Sequence, residues 1–285
     1  MSYTRVVETD LTSTDGRRLH VYHTGPRDTG ELVVLWHHGT PNLGMPPRPL
    51  FPAADRLGIR WVSYDRPGYG GSAPVAGRDV AWAAHDATAV ADALGVERFA
   101  VVGHSGGATH ALACAALLPE RVVGAVAVSG LAPYGAEGLD WFAGMNASCR
   151  ESLAAAVAGR EAKERHEERA VYDPEMFTAA DHAALAGAWS WFGEVVGPAV
   201  ALGPGGLIDD DLAYIGPWGC DPAAITAPLL LLHGGRDRVV PSGHGAWLAD
   251  HCPGAEFRLA PADGHISVLD GAADALDWLA RHAKR

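Results

Sequence analysis

Residues 98–118 read Arg98-Phe99-Ala100-Val101-Val102-Gly103-His104-Ser105-Gly106-Gly107-Ala108-Thr109-His110-Ala111-Leu112-Ala113-Cys114-Ala115-Ala116-Leu117-Leu118, and their reading decides the fold. The opening apolar run is short and nearly continuous, the pattern of a strand buried on both faces. The closing stretch is Ala-rich with apolar residues at helical spacing. Between them lies Gly-x-Ser-x-Gly. A serine on so sharp a strand-to-helix turn adopts a strained backbone, and the residues two positions away must be small, which Gly103 and Gly107 supply. The turn raises the hydroxyl above the sheet and sets it at a helix N-terminus, where developing negative charge is favoured. A bare GxSxG arises easily by chance in a chain with 35 glycines. The strand before it and the helix after it make Ser105 a candidate nucleophile.

Outward from this stretch the alternation repeats. ELVVLWHHG (31–39), IRWVSYDRP (59–67), VVGAVAVSG (122–130) and APLLLLHGG (227–235) read as further buried strands, and VAWAAHDATAVADALG (80–95) as a helix. Strand–helix–strand repetition builds a parallel sheet covered by helices, an α/β fold. TRVVETDLTS (4–13) and RRLHVYHTG (17–25) alternate more strictly around Asp15-Gly16 and read as an antiparallel hairpin on the sheet edge. Residues 134–217 contain no strand-like run. They hold a long helical pattern, ESLAAAVAGREAKERHEERAVY (151–172), and the Gly/Pro-rich GPAVALGPGG (197–206). The expected organisation is a core of residues 1–133 and 218–285 with an all-helical cap, 134–217, inserted over one end of the sheet. The charge run Arg160–Arg169 is expected to be a solvated helix face with pairs such as Glu161–Arg165.

Serine is a weak nucleophile until a base takes its proton. Of the 14 histidines, His265 in Asp263-Gly264-His265 follows the strand-like AEFRLA (255–260) and precedes the final helical stretch, so it can reach a serine at another strand's end. His85, His166, His182 and His282 read as surface or packing residues, and His104 as a neighbour whose side chain points away from Ser105. A carboxylate must orient the imidazole and stabilise its cation. Asp237 stands just beyond the buried run PLLLL, at the strand end where parallel sheets place their sites. The oxyanion donors expected are the backbone N–H groups of Gly106 and Thr40. In His37-His38-Gly39-Thr40-Pro41, Gly39 lets the chain turn close to the site, Pro41 stiffens it and His38 hydrogen-bonds the loop.

The 285 residues carry 22 Lys+Arg against 34 Asp+Glu, a net charge of −12. That balance disfavours nucleic acid and polybasic membrane-surface binding, both of which need a supply of cations. Cys114, Cys149, Cys220 and Cys252 are more than thirty residues apart, which fits reduced packing residues rather than zinc or disulfide spacing. No stretch reads as a signal peptide or membrane span. With no HExxH and no GxGxxG in dinucleotide context, neither a metal nor an organic cofactor is expected. The expectation is a cytoplasmic protein, monomer or homodimer, acting on a small molecule.

With these residues named, the chain resembles an α/β-hydrolase-fold serine hydrolase over essentially its whole length. The matching landmarks are HHGTP (37–41), Tyr64-Asp65-Arg66-Pro67-Gly68-Tyr69-Gly70-Gly71-Ser72, GHSGG (103–107), GGRDRVVP (234–241) and DGHISVL (263–269). The resemblance implies a mostly parallel eight-stranded sheet flanked by helices, a helical cap after the sixth strand, and acyl transfer through an acyl-serine. It also implies that DRPGYGGS is a structural turn without catalytic duty. Haloalkane dehalogenases and epoxide hydrolases carry an aspartate where this chain has Ser105. Proline iminopeptidases usually show GGSWG and HGGPG where this chain has GHSGG and HHGTPNLG. Cofactor-free haloperoxidases usually have Met after the serine, where this chain has Gly106.

The resulting expectation is hydrolysis of a small to medium, neutral, partly apolar carboxylic ester, thioester or lactone. The alternatives are a proline iminopeptidase-like aminopeptidase, a C–C bond hydrolase, and a small-ligand receptor retaining the triad. Trp141, Phe142, Trp189, Trp191, Phe192, Tyr214 and Trp218, with Tyr134, are the candidate apolar lining of the substrate pocket. The acidic residues Glu161, Glu164, Glu167, Glu168, Asp209, Asp210 and Asp211 are expected to be solvated or, in an aminopeptidase, to hold a substrate ammonium.

Overall fold

A strand made only of apolar residues has no face to show to water, so it is satisfied only inside a sheet covered on both sides. The structure, a computed structural model, describes residues 5–25 and 32–283. Thr4, Glu31, Lys284 and Arg285, at the edges of expected elements, lie outside those residues. Val6–Thr12 (β1) and Arg18–Thr24 (β2) come first and pair antiparallel. Gly16 takes φ +82° in their connecting turn. Five strands follow with every residue buried: Leu32–His37 (β3), Ile59–Tyr64 (β4), Phe99–His104 (β5), Val122–Val128 (β6) and Leu229–Gly234 (β7). Glu256–Ala260 (β8) forms the far edge and is partly exposed.

The sheet runs β1-β2-β4-β3-β5-β6-β7-β8. β1, β2 and β4 pair antiparallel, and every pair from β4 to β8 is parallel. Among the described residues ten α-helices connect or follow the strands: Phe51–Leu57 (α1), Trp82–Ala93 (α2), Gly106–Leu117 (α3), Ala147–Val157 (α4), Arg160–Glu167 (α5), Ala179–Ala186 (α6), Phe192–Ala199 (α7), Gly205–Ile215 (α8), Gly243–His251 (α9) and Ala272–His282 (α10). Successive strand residues face opposite sides. Val33 and Leu35 pack in one core with α2, α3 and Leu248 of α9, while Leu32, Val34 and Trp36 pack in the other with α1 and α10. The chain leaves β3 for β4 on one side and returns to β5 on the other. The crevice beyond the carboxyl ends of β3 and β5 is therefore the topological switch point, where open α/β sheets bind ligands.

Between β6 and β7 the chain makes a long excursion containing α4–α8 and, among the described residues, no strand. The continuous helix read over 151–172 is broken. Gly159 takes φ +104°, a left-handed value that an α-helix cannot continue through, so α4 ends and α5 begins there. The solvated face expected for the 160–169 charge run is corrected in part. Arg165 and Glu161 pair at 3.7 Å near the surface, but Lys163 is fully buried, with Glu167 at 2.5 Å and Asp211 at 2.6 Å. Among the described residues no helix is long and apolar enough to cross a membrane.

This assignment of the core has a direct check. Leu230 on β7 is 0% exposed, so Leu230→Ala is expected to destabilise by roughly 2–5 kcal/mol. Leu202, 91% exposed in the excursion, is expected to change stability by no more than about 0.5 kcal/mol as Leu202→Ala. Urea unfolding of the two variants measures both, and equal losses would contradict the packing described.

Candidate active site

Ser105 lies between β5 and α3 with φ +57° and ψ −131°, a conformation that L-residues adopt only under constraint. Its N–H donates to the Val128 carbonyl at 2.8 Å, tying the turn to β6. A Cβ at Gly103 would stand 2.2 Å from the Gly107 carbonyl oxygen, and one at Gly107 would stand 2.0 Å from the His37 carbonyl oxygen. Both positions are closed by backbone rather than by movable side chains. At Gly106 a Cβ would meet the Tyr214 hydroxyl at 2.0 Å and the Thr40 hydroxyl at 2.8 Å, so α8 and the loop after β3 converge on the elbow. Ser105 itself is half-buried.

His265 and Asp237 come together beside that elbow. His265 Nδ1 is 2.7 Å from Asp237 Oδ2, and because a carboxylate only accepts, Nδ1 carries the proton. The other Asp237 oxygen accepts the N–H groups of Val239 and Val240, both at 2.9 Å. Burial works to raise the Asp237 carboxyl, yet the adjoining His265 and these hydrogen bonds hold it below the usual range. His104 Nε2 donates to the His265 carbonyl at 2.9 Å, and the two rings pack 4.8 Å apart. Burial and the neighbouring His265 push the His104 imidazole down to about 3.

The loop after β3 is held from its carbonyl side. Gly39 O accepts from His38 Nδ1 at 2.8 Å and from Arg66 Nη2 at 3.1 Å. A trans peptide points its N–H opposite its C=O, so gripping this oxygen turns the Thr40 N–H the other way. Arg66 also donates to the His38 carbonyl and, at 3.0 Å, to Thr40 Oγ1. Arg66 stands in the segment expected to be a structural turn without catalytic duty, and from there it braces the loop beside Ser105.

Asp210 of α8 completes this bracing. It is 0% exposed and accepts from Arg66 Nη2 at 2.6 Å, Arg78 Nη2 at 2.5 Å, Tyr69 Oη at 2.8 Å and Thr40 Oγ1 at 2.6 Å. Burial would raise its carboxyl, but the two guanidinium groups hold it well below the carboxylate range. Asp209 pairs with Arg160 and Asp211 with Lys163. The expectation that this acidic run is solvated or open to a substrate ammonium is therefore corrected: all three carboxylates are buried and paired.

The candidate aromatic residues divide rather than line one wall. Trp141, Tyr214 and Trp218 pack with Val80, Leu131 and Val240, with Phe142 against them. Trp189, Trp191 and Phe192 join the core that includes β3, α1 and α10. Of the seven, Tyr214 reaches Gly106 and hydrogen-bonds Thr40 Oγ1 at 2.8 Å, and Phe192 packs 5.8 Å from His104. Trp141 Nε1 donates to the Ala132 carbonyl and Trp189 Nε1 to Asp270, which marks both as packed scaffold. Among the described residues no group of His, Cys, Asp and Glu is arranged to hold a metal ion.

A family model for the alpha/beta hydrolase fold matches residues 33–272. The chain belongs to the alpha/beta hydrolase family. Solved structures of similar fold include the enol-lactonase from Burkholderia xenovorans, with TM-score 0.71 and 19% identity over 96% of this chain and 99% of that one. An esterase from Thermogutta terrifontis has TM-score 0.68 and 20% identity over 98% and 100% of the two chains. Among curated proteins, Epoxide hydrolase B of Mycobacterium tuberculosis is 35% identical over 128 residues, 44% of this chain and 35% of that protein. The Non-heme chloroperoxidase of Streptomyces lividans is 35% identical over 127 residues, 43% and 45% respectively. The chain thus matches less than half the length of either curated relative.

Two outcomes follow for this alpha/beta hydrolase. Gly107→Ala drives a Cβ into the His37 carbonyl and is expected to cost at least ~2 kcal/mol, whereas Gly193→Ala, in an open helical position, is expected to be neutral or stabilising. Thermal unfolding of the pair measures the difference in sign. Burial also depresses His110 and His244 to about 4, and His37 and His38 well below the ordinary 6.5. The unfolded chain binds protons below about 6.5 that the native chain refuses, so this stability is intact above that pH and drains away as pH falls toward 4. At pH 5 each group shifted to about 4 is expected to cost about 2 kcal/mol relative to pH 7.5. Urea midpoints at the two pH values test it, and equal midpoints would show that these imidazoles are not held neutral.

Proposed function

We propose that this alpha/beta hydrolase is a serine hydrolase of small to medium, neutral, partly apolar carboxylic esters, thioesters or lactones, acting through an acyl-serine. The observation that carries the reading is the 2.7 Å contact between His265 Nδ1 and Asp237, beside a serine on a strained strand-to-helix turn. With the Nδ1 proton committed to Asp237, the Nε2 lone pair is free to take the Ser105 proton. Ser105 Oγ then bonds to the ester carbonyl carbon while His265 accepts the proton. Collapse breaks the C–O bond, and the departing alkoxide leaves with the proton from His265. Water repeats the cycle on the acyl-serine and regenerates the hydroxyl.

The oxyanion formed in each step is assigned to the N–H groups of Gly106 and Thr40. Support comes from the grip of Arg66 and His38 on the Gly39 carbonyl, which turns the Thr40 amide away from them. Residues 134–217 are assigned as a cap over the carboxyl end of the sheet, presenting Tyr214 and Phe192 to the site. The pairing of Asp209, Asp210 and Asp211 argues for a neutral substrate over an amino-terminal peptide, since none of these three is left to hold an ammonium. Ser105 stands where the family resemblance places an aspartate in epoxide hydrolases, so the relatives of that name do not carry their reaction over to this site.

Ser105→Ala is expected to lower turnover of short p-nitrophenyl esters by about 10⁴–10⁶-fold with little loss of folding. A fluorophosphonate probe is expected to label the wild type at Ser105 and block it, while unlabelled enzyme is expected to keep cycling on members of a panel of esters, thioesters, lactones and aminoacyl amides. Slow labelling, with hydrolysis that stalls after about one turnover, would instead indicate a ligand receptor. Near-wild-type hydrolysis by Ser105→Ala would remove the nucleophile assignment.

A further inference from the structure

Asp181, third residue of α6 and 1% exposed, carries more hydrogen bonds than its helix requires. Its Oδ2 closes a capping box, accepting the N–H and the hydroxyl of Thr178, each at 2.9 Å. Its Oδ1 turns to a different part of the chain, accepting the N–H of Ile266 at 2.8 Å, the N–H of Ser267 at 2.8 Å and the Ser267 hydroxyl at 3.0 Å. Ser267 Oγ in turn accepts the Gly264 N–H at 2.8 Å. The backbone on both sides of His265 is thus fastened, directly or through one serine, to a single carboxylate from the helical excursion. The approach is so close that a Cβ at Gly264 would lie 2.0 Å from Asp181 Oδ2. The glycine before His265 is explained by this carboxylate.

We propose that Asp181 is a positioning residue for His265. By fixing residues 264–267 it sets the imidazole at the place where it meets Asp237 on one side and the elbow serine on the other. Docking of α6 and the competence of the base then become one event, so the helical excursion contributes to the relay itself as well as to the pocket. The proposal rests on the serine-hydrolase reading above for its kinetic consequence, but its geometric content stands apart from it. A purely structural Asp181 would cap α6 and do no more, and Thr178 shares that capping task through its bonds with Asp181.

The test compares Asp181→Ala, Asp181→Asn and Thr178→Ala in the full chain, with two readouts. In proton NMR, the His265 Nδ1–H shared with Asp237 is expected as a far-downfield resonance, identified by its loss in His265→Ala. It should broaden or vanish in Asp181→Ala and persist in Thr178→Ala. On p-nitrophenyl acetate, Asp181→Ala is expected to lose about 10²-fold in kcat with KM within about threefold, the cost of a misplaced catalytic group. Asp181→Asn keeps an acceptor for the 266–267 amides and should recover at least about tenfold of that loss. Thr178→Ala should stay within about twofold of wild type while melting lower by the price of a cap. If Asp181→Ala and Thr178→Ala lose stability alike while resonance and kcat both survive, the proposal is overturned. Should Asp181→Ala not fold, Ser267→Ala, which cuts the link to Gly264, is expected to broaden the same resonance, and a sharp one overturns the proposal. If the wild type cleaves no ester but the resonance depends on Asp181, positioning stands and the hydrolase reading falls.

Discussion

The structure turns on a contact between two stretches of backbone. Gly107 at the start of α3 presses on the His37 carbonyl at the end of β3, and Gly103 presses back on Gly107, with no room for a β-carbon at either. Ser105 is caught between them at φ +57°, a conformation costing of order 1–3 kcal/mol that persists because its surroundings leave no alternative. That closeness brings the ends of β3 and β5 together at the switch point of the sheet. It also places the hydroxyl at a helix N-terminus and sets the loop after β3 beside it. An elbow with room to relax would let the serine sink back toward the sheet.

Around this elbow the chain has buried an unusual amount of charge. Arg66, Arg78 and Asp210 are taken out of water together, and such a group is stable only when its lone pairs and protons find partners. Tyr69, Thr40 and the carbonyls of His38 and Gly39 meet most of them, and Arg78 Nε is left buried without a hydrogen-bond partner. The gain is orientation more than stability, because a guanidinium held by a bidentate carboxylate cannot swing, and the carbonyls it grips cannot swing either. The same logic recurs at Asp181. In both places a carboxylate from the helical excursion reaches the loops around Ser105, one loop each.

Family membership and fold are settled over residues 33–272, but the similar solved structures cited are near 20% identical and speak only to architecture. The relatives closer in sequence are named for two different reactions and match less than half their own length. Fold hosts chemistry without dictating it, so the reaction has to be argued from the side chains at the elbow. There the decisive feature is the residue at position 105, a serine, together with an imidazole whose proton is already committed to Asp237.

Much of the fold is legible in the sequence alone. Strands buried on both faces write their burial into every consecutive residue, so β3 to β7 stand out, and the Asp15-Gly16 turn marks the hairpin as a local event. Ser105, Asp237 and His265 each follow a strand end, a position that local pattern can locate. What pattern cannot locate is a partner. Asp210 meets Arg66 across 144 positions and Asp181 meets Ser267 across 86, and nothing near a carboxylate in sequence says whether water or a distant guanidinium will satisfy it. Hence the run Asp209–Asp211, expected to be solvated or open to an ammonium, is buried and paired, and the aromatic residues expected to line the pocket are shared between two cores. Periodicity determined which segments are strand and helix, because those preferences are local. Which charges are buried, and which loops they hold, was decided only when the helices between β6 and β7 packed against the sheet.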